Sequence, residues 1–208
     1  MKFVRLASLT AFLFLVAGLM LAPTLRAQSL ATARRGAEIT AFGGYSVSHP
    51  DYGGTSYNGE TIGANFTLFK NWWVDPSVEV RFNHSSNSII SENAFLVGPR
   101  VQKDYGRFHP YVDALFGVGV ISYHPAPTFS PDDHQDSGRN IAFGGGVDFD
   151  VTRNFSAKVD FQEQNWNLGK NPPFQPDGSN YTLSPSVLTF GVTYHIPFSG
   201  LRKQRELR

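Results

Sequence analysis

This chain of 208 residues contains no cysteine. That excludes a disulfide framework, a thiolate metal site and a lipid-modified N-terminal Cys. Charge is also scarce, at 17% Asp, Glu, Lys and Arg, where a soluble domain carries about a quarter. The 18 basic and 17 acidic residues nearly cancel, so nucleic acid is excluded as a partner on electrostatic grounds. Past residue 22 no apolar run is long enough for a transmembrane helix. The glycines at 43–44 and 144–146 lie inside alternating segments rather than between a strand and a helix. They are therefore not phosphate cradles, and no cofactor is expected.

What is present begins with Lys2 and Arg5, an apolar run from Leu6 to Ala22, and Leu25-Arg26-Ala27. This reads as a cleaved signal peptide over residues 1–27, with an uncleaved anchor as the alternative. Removing it takes away three basic residues and leaves a balance of about −2. A short N-terminal segment, 28–36, follows. The remainder is rich in Gly (20), Phe (18) and Tyr (8), the composition of an all-β protein with much apolar surface.

Segments with period-two alternation recur between turn-rich clusters. Eight are expected, over 37–48, 61–69, 74–85, 93–103, 109–122, 139–150, 155–165 and 186–197. Their connections alternate in length. Long loops at 49–60, 86–92, 123–138 and 166–185 alternate with short turns at 70–73, 104–108 and 151–154. That rhythm describes an eight-stranded antiparallel up-and-down barrel over 37–198, with both termini on the short-turn side. A basic tail, 199–208, follows.

One face of each strand is uncharged, as in Ile62, Ala64, Phe66 and Leu68, or Val112, Ala114, Phe116, Val118 and Val120. The other face collects Glu38, Glu79, Arg81, Arg100, Asp113, Asp148, Lys158 and Asp160. A soluble carrier barrel would turn the apolar face inward and a membrane barrel would turn it to lipid. Two patterns favour lipid. Arg100 mirrors Asp113 about one short turn and Asp148 mirrors Lys158 about another, which suits an enclosed charge network. Aromatics gather at strand ends as in interfacial girdles: Phe69, Trp72, Trp73, Phe108, Phe155 and Phe198 low, with Tyr45, Phe82, Tyr123 and Trp166 high.

The passages Phe95-Leu-Val-Gly-Pro-Arg-Val-Gln102, His109-Pro-Tyr-Val-Asp-Ala-Leu-Phe-Gly117 and Ala142-Phe-Gly-Gly-Gly-Val-Asp-Phe149 resemble the small OmpA-like outer-membrane β-barrel domain family. Phe42-Gly-Gly-Tyr-Ser46 is similar to that family's first strand. The resemblance implies an eight-stranded transmembrane barrel in the bacterial outer membrane, with both termini periplasmic and a structural, envelope-integrity role. Its partners would be outer-membrane lipid and lipopolysaccharide, the barrel-assembly machinery during biogenesis, and an extracellular ligand at the loops. Thr189, Gly191, Tyr194 and Ile196 fit the last-strand targeting pattern of such barrels. An eight-stranded interior is filled by side chains, so general porin activity is not expected.

Two chemical readings remain. Arg81-Phe-Asn-His-Ser-Ser-Asn87 resembles the His-x-Ser motif of outer-membrane lipid A 3-O-deacylases. It would make His84 the general base and Ser86 the nucleophile, with Glu92 orienting the imidazole. That motif usually lies near the C-terminal strand, whereas here it ends the third, so the non-enzymatic reading leads. The loop bearing His124 and Asp132-Asp-His-Gln-Asp136 has oxygen and nitrogen donors but no EF-hand spacing. It reads as a solvated loop, and no metal is expected.

Overall fold

The computed structural model describes residues 38–51, 56–68, 73–88, 90–123, 135–170 and 180–196. The leader, the basic tail, Phe69, Trp72, Phe198 and His124 through His134 lie outside these. Nine strands follow in order: β1 Glu38–His49, β2 Tyr57–Thr67, β3 Asp75–Ser86, β4 Ile90–Gln102, β5 Phe108–Tyr123, β6 Gln135–Asp150, β7 Phe155–Lys170, β8 Asn180–Leu183 and β9 Ser186–Ile196. Every neighbouring pair is antiparallel, from β1–β2 through β6–β7, and β9 pairs with both β7 and β1. The sheet thereby closes on itself.

β8 and β9 form one wall of the barrel. Both pair with β7 and are separated only by Ser184 and Pro185. Proline brings no N–H to a ladder, but the Pro185 carbonyl still accepts from the Gln164 amide at 2.9 Å. The closed barrel accordingly has eight walls, as the alternation expects.

Alternation drives this closure because each strand has one face that water rejects and one that lipid rejects. Ile62, Phe66, Phe95, Val97, Phe116, Phe143, Val159, Phe190 and Val192 are exposed on the outside. Glu79, Arg81, Arg100, Lys158 and Asp160 are buried inside. The outward apolar belt covers about ten residues per strand, which at ~3.3 Å rise and a tilt of ~40° spans roughly 25 Å.

β5, β6 and β7 each run to 16 residues and so stand well clear of that belt at the long-loop end. The expected strands stop short there: β6 starts at Gln135 rather than 139, β7 runs to Lys170 rather than 165, and β2 starts at Tyr57 rather than 61. Above the belt the outward face carries exposed polar residues such as Ser137, Arg139 and Asn167, and the inward face buries Trp166 and Leu168, so the apolar-outward alternation fades while backbone pairing continues.

The β4–β5 hairpin turns at Gly106 and Arg107, closed by Tyr105 N to Phe108 O at 2.8 Å and Phe108 N to Tyr105 O at 3.1 Å. Gly106 takes φ +65°. This is the left-handed conformation that a two-residue hairpin demands of its first central residue and that a side chain resists.

Candidate functional site: the barrel lumen

The middle of the lumen is a compact charge cluster. Arg81, from β3, forks onto both oxygens of Asp160 on β7 and sets Nε 2.7 Å from Glu79 Oε1. Arg100, from β4, contacts Asp148 Oδ2 at 2.6 Å and Glu79 Oε2 at 3.3 Å. Its guanidinium also lies 3.5 Å from the centroid of the Tyr111 ring. Tyr111 donates its hydroxyl to Asp160 at 2.6 Å. Asn65, with its amide nitrogen toward Glu79 (2.8 Å) and its oxygen toward Arg100 (2.9 Å), bridges the two. Burying such ions is costly unless each finds several partners, and these forked, hydrogen-bonded guanidinium contacts supply them.

The mirrored pairs fare differently. Asp148 and Lys158 are directly opposite in the ladder, and their side chains stand 3.6 Å apart. The Lys158 ammonium makes no hydrogen bond among the described residues and rests against the rings of Tyr111 (4.1 Å) and Phe42 (4.6 Å). Arg100 and Asp113 are also ladder partners, but the expected ion pair between them is not formed. Arg100 turns to Glu79 and Asp148, and Asp113 instead accepts from Gln162 Nε2 at 2.9 and 3.0 Å. Inside a closed barrel a long side chain reaches strands two or more away, and ladder opposition stops deciding the partner.

Toward the long loops the lumen is apolar on the β4–β8 side. Ala94, Leu96, Leu115, Ile121, Tyr123, Ala142, Trp166, Leu168 and Leu183 form one buried cluster. Tyr123 and Trp166 were expected in an outer girdle, but they point inward and are 6% and 2% exposed. The Trp166 indole donates to Gln164 Oε1 at 2.8 Å, and that oxygen also accepts from Asn140 Nδ2 at 2.8 Å. Gly119 makes room for the indole, since a Cβ there would stand 2.3 Å from the ring. Opposite this cluster, Ser46, Thr61, Asn83 and Thr189 join their side chains in a hydroxyl and amide file.

The assembly-pattern residues divide between the two faces of β9. Thr189 is inside, 2.9 Å from Ser46 Oγ, and Gly191 lies opposite Gly44 across the β1–β9 seam. Tyr194 and Ile196 are exposed on the outside.

The hydrolase constellation is broken by the wall. His84 and Ser86 share the outward face of β3, and His84 Nδ1 is 2.8 Å from Asn93 Oδ1. Glu92 is buried on the inward face, opposite Ser85, whose hydroxyl donates to it at 3.4 Å. A carboxylate on the other side of the sheet cannot orient the imidazole, so Glu92 has no such role. No group of three or more His, Asp or Glu fit to hold a metal occurs among the described residues.

At the short-turn end the lumen opens into a vestibule of about 600 Å³, lined by polar residues that include Thr40, Asn65, Arg100, His109, Asp148 and Thr193. Glu38 stands at its rim, 2.7 Å from His195 Nδ1. Tyr111 and Phe42 are interior residues that the charge pattern overlooks. Each sits in phase with the charged face of its own strand, which is the signal that identifies them.

Comparison with known proteins gives the same architecture. Neisserial surface protein A is 14% identical, with a TM-score of 0.52, covering 76% of this chain and 98% of that one. Ail, the attachment invasion locus protein of Yersinia pestis solved with the heparin analogue sucrose octasulfate, is 16% identical, with a TM-score of 0.50, covering 77% and 99%. At such identities the likeness shows the fold alone. No curated protein matches the sequence. The model of the outer membrane protein beta-barrel domain family, however, matches residues 12–195, and with the closed, apolar-belted barrel it establishes that this chain belongs to that family.

Proposed function

We propose that this protein is a non-enzymatic barrel of the bacterial outer membrane that supports envelope integrity and presents a surface for interaction, and that it is not a general porin. The observation that carries this reading is the occupied lumen. Arg81, Arg100, Lys158 and Tyr111 are each at most 2% exposed at mid-height, and the Trp166 cluster fills much of the lumen above them.

In this reading residues 1–27 direct export, the short turns and both termini face the periplasm, and the long loops face outward. The assembly machinery reads Thr189, Gly191, Tyr194 and Ile196. Outer-membrane lipid and lipopolysaccharide surround the belt. An extracellular ligand would meet the loops; Ail, which shares this fold, was solved in complex with a heparin analogue. The described strand ends beneath those loops carry Asp51, Glu60 and Asp136 against Arg139 and Lys170, which is not a polyanion-binding surface. A polysulfate is therefore not the ligand these residues favour.

The deacylase reading retains only His84 and Ser86, without the carboxylate assigned to it. A strain lacking the protein, compared with one complemented by the intact chain, tests the proposal. Increased sensitivity to detergent and altered surface binding are expected on deletion. An unchanged envelope and unchanged binding would overturn it.

A further inference from the structure

The short-turn mouth carries a second set of contacts that the mid-lumen cluster does not use. His109, near the start of β5, sets Nδ1 2.7 Å from Asp104 Oδ1 and Nε2 2.9 Å from Asp150 Oδ2. The first is a hydrogen bond, and the second lies off the hydrogen-bond axis and acts as a charge contact. Carboxylate oxygens only accept, so an imidazole facing one at each nitrogen serves both by carrying a proton on each.

His195 reaches the same state by another route. Its Nδ1 lies 2.7 Å from Glu38 Oε1, and its Nε2 lies 2.9 Å from Ser156 Oγ. Ser156 has one proton, and that goes to Asp150 Oδ1 at 2.6 Å. The Ser156 oxygen is then left to accept from Nε2–H. Asp150 Oδ1 is also 3.9 Å from His195 Nε2.

The contacts join into one chain: Asp104, His109, Asp150, Ser156, His195, Glu38. It runs from the turn before β5 through the ends of β5, β6, β7 and β9, and it crosses to β1. The last link spans the β1–β9 seam, where the barrel closes. Among the described residues, the other charged side chains lining the mouth near these rings are Asp148, the ladder partner of His109, which is held by Arg100, and Arg153 in the β6–β7 turn.

We propose that this chain is a proton-operated clasp: doubly protonated imidazoles hold the five strand ends together, and their loss of protons loosens the mouth and the adjoining seam. The sign follows from the contacts. The stabilisation belongs to the charged imidazoles, so it is complete on the acid side of their titration and is lost as pH rises through it. The vestibule then widens from the mouth, and the mid-lumen cluster stays in place.

The test uses the full chain folded in detergent micelles, with nitrogen NMR of the histidine rings and amide exchange expressed as protection factors. At about pH 6 both ring nitrogens of His109 are protonated, and at about pH 10.5 one of the two protons is gone. Over that range protection along residues 39–41 and 193–195 falls by ~tenfold or more, while residues 79–81 keep theirs. A His109→Gln, His195→Gln variant shows the low protection at both pH values. A single ring proton on His109 at the lower pH, or protection at the seam that ignores pH in the unaltered chain, overturns the clasp.

Discussion

Replacing Arg100 by alanine removes a guanidinium that touches Asp148 at 2.6 Å, Glu79 at 3.3 Å and Gln102 at 2.7 Å, and that lies 3.5 Å from the Tyr111 ring centroid. Deleting one partner of a buried pair costs about 3–5 kcal/mol because the other charge stays buried. Here the survivors are partly covered. Asp148 keeps Thr193 at 2.9 Å and Lys158 at 3.6 Å, and Glu79 keeps Arg81 at 2.7 Å. The loss is therefore placed near the low end, about 3 kcal/mol. Reversible urea unfolding of the barrel in detergent or lipid, at constant m, measures it.

Double-mutant cycles make the test specific. Arg100→Ala with Asp148→Asn should give a coupling of about 2 kcal/mol, and Arg100→Ala with Asp113→Asn less than about 0.5 kcal/mol. A larger coupling to Asp113 than to Asp148 would refute this arrangement. It would restore the ladder-opposite pair that the sequence suggests.

Gly119→Ala should destabilise by about 1–3 kcal/mol through overpacking, because the new Cβ would stand 2.3 Å from the Trp166 ring. Trp166→Leu in that background should recover part of the loss, and the urea midpoints of the three proteins check both statements. Neither the unaltered protein nor Ser86→Ala should release an acyl chain from lipid A. Release by the first and not the second would reinstate the hydrolase.

The walls of the barrel were legible because lipid and a charged interior impose opposite demands on alternate residues. Val78, Glu79, Val80 and Arg81 state that rule in four positions. The ends of β5, β6 and β7 were less legible, since above the belt Ser137, Arg139 and Asn167 face water just as loop residues do. Tyr123 and Trp166 were misplaced by reasoning from residue type: aromatics at strand ends suit a girdle. Their phase said otherwise, for Trp166 is in step with Lys158, Asp160 and Gln162, and Tyr123 with Asp113. The partner of Arg100 was not legible, because ladder register fixes where a Cα sits and not which of several walls a guanidinium reaches. Glu92 failed as an orienting acid for the related reason that it pairs with Ser85 and so lies across the wall from His84. The acid–imidazole chain at the mouth joins residues as distant in sequence as Glu38 and His195. Closure of the barrel brings them together, and the count of eight strands already sets His195 level with Glu38 at the seam.

The central claim is that this barrel's lumen is closed at mid-height by the charge cluster and above it by the Trp166 cluster, and single-channel recording in planar bilayers tests it most directly. The folded protein should leave the membrane electrically silent, without the stepwise conductance of a water-filled pore. Reproducible open-pore steps from the unaltered protein would contradict it.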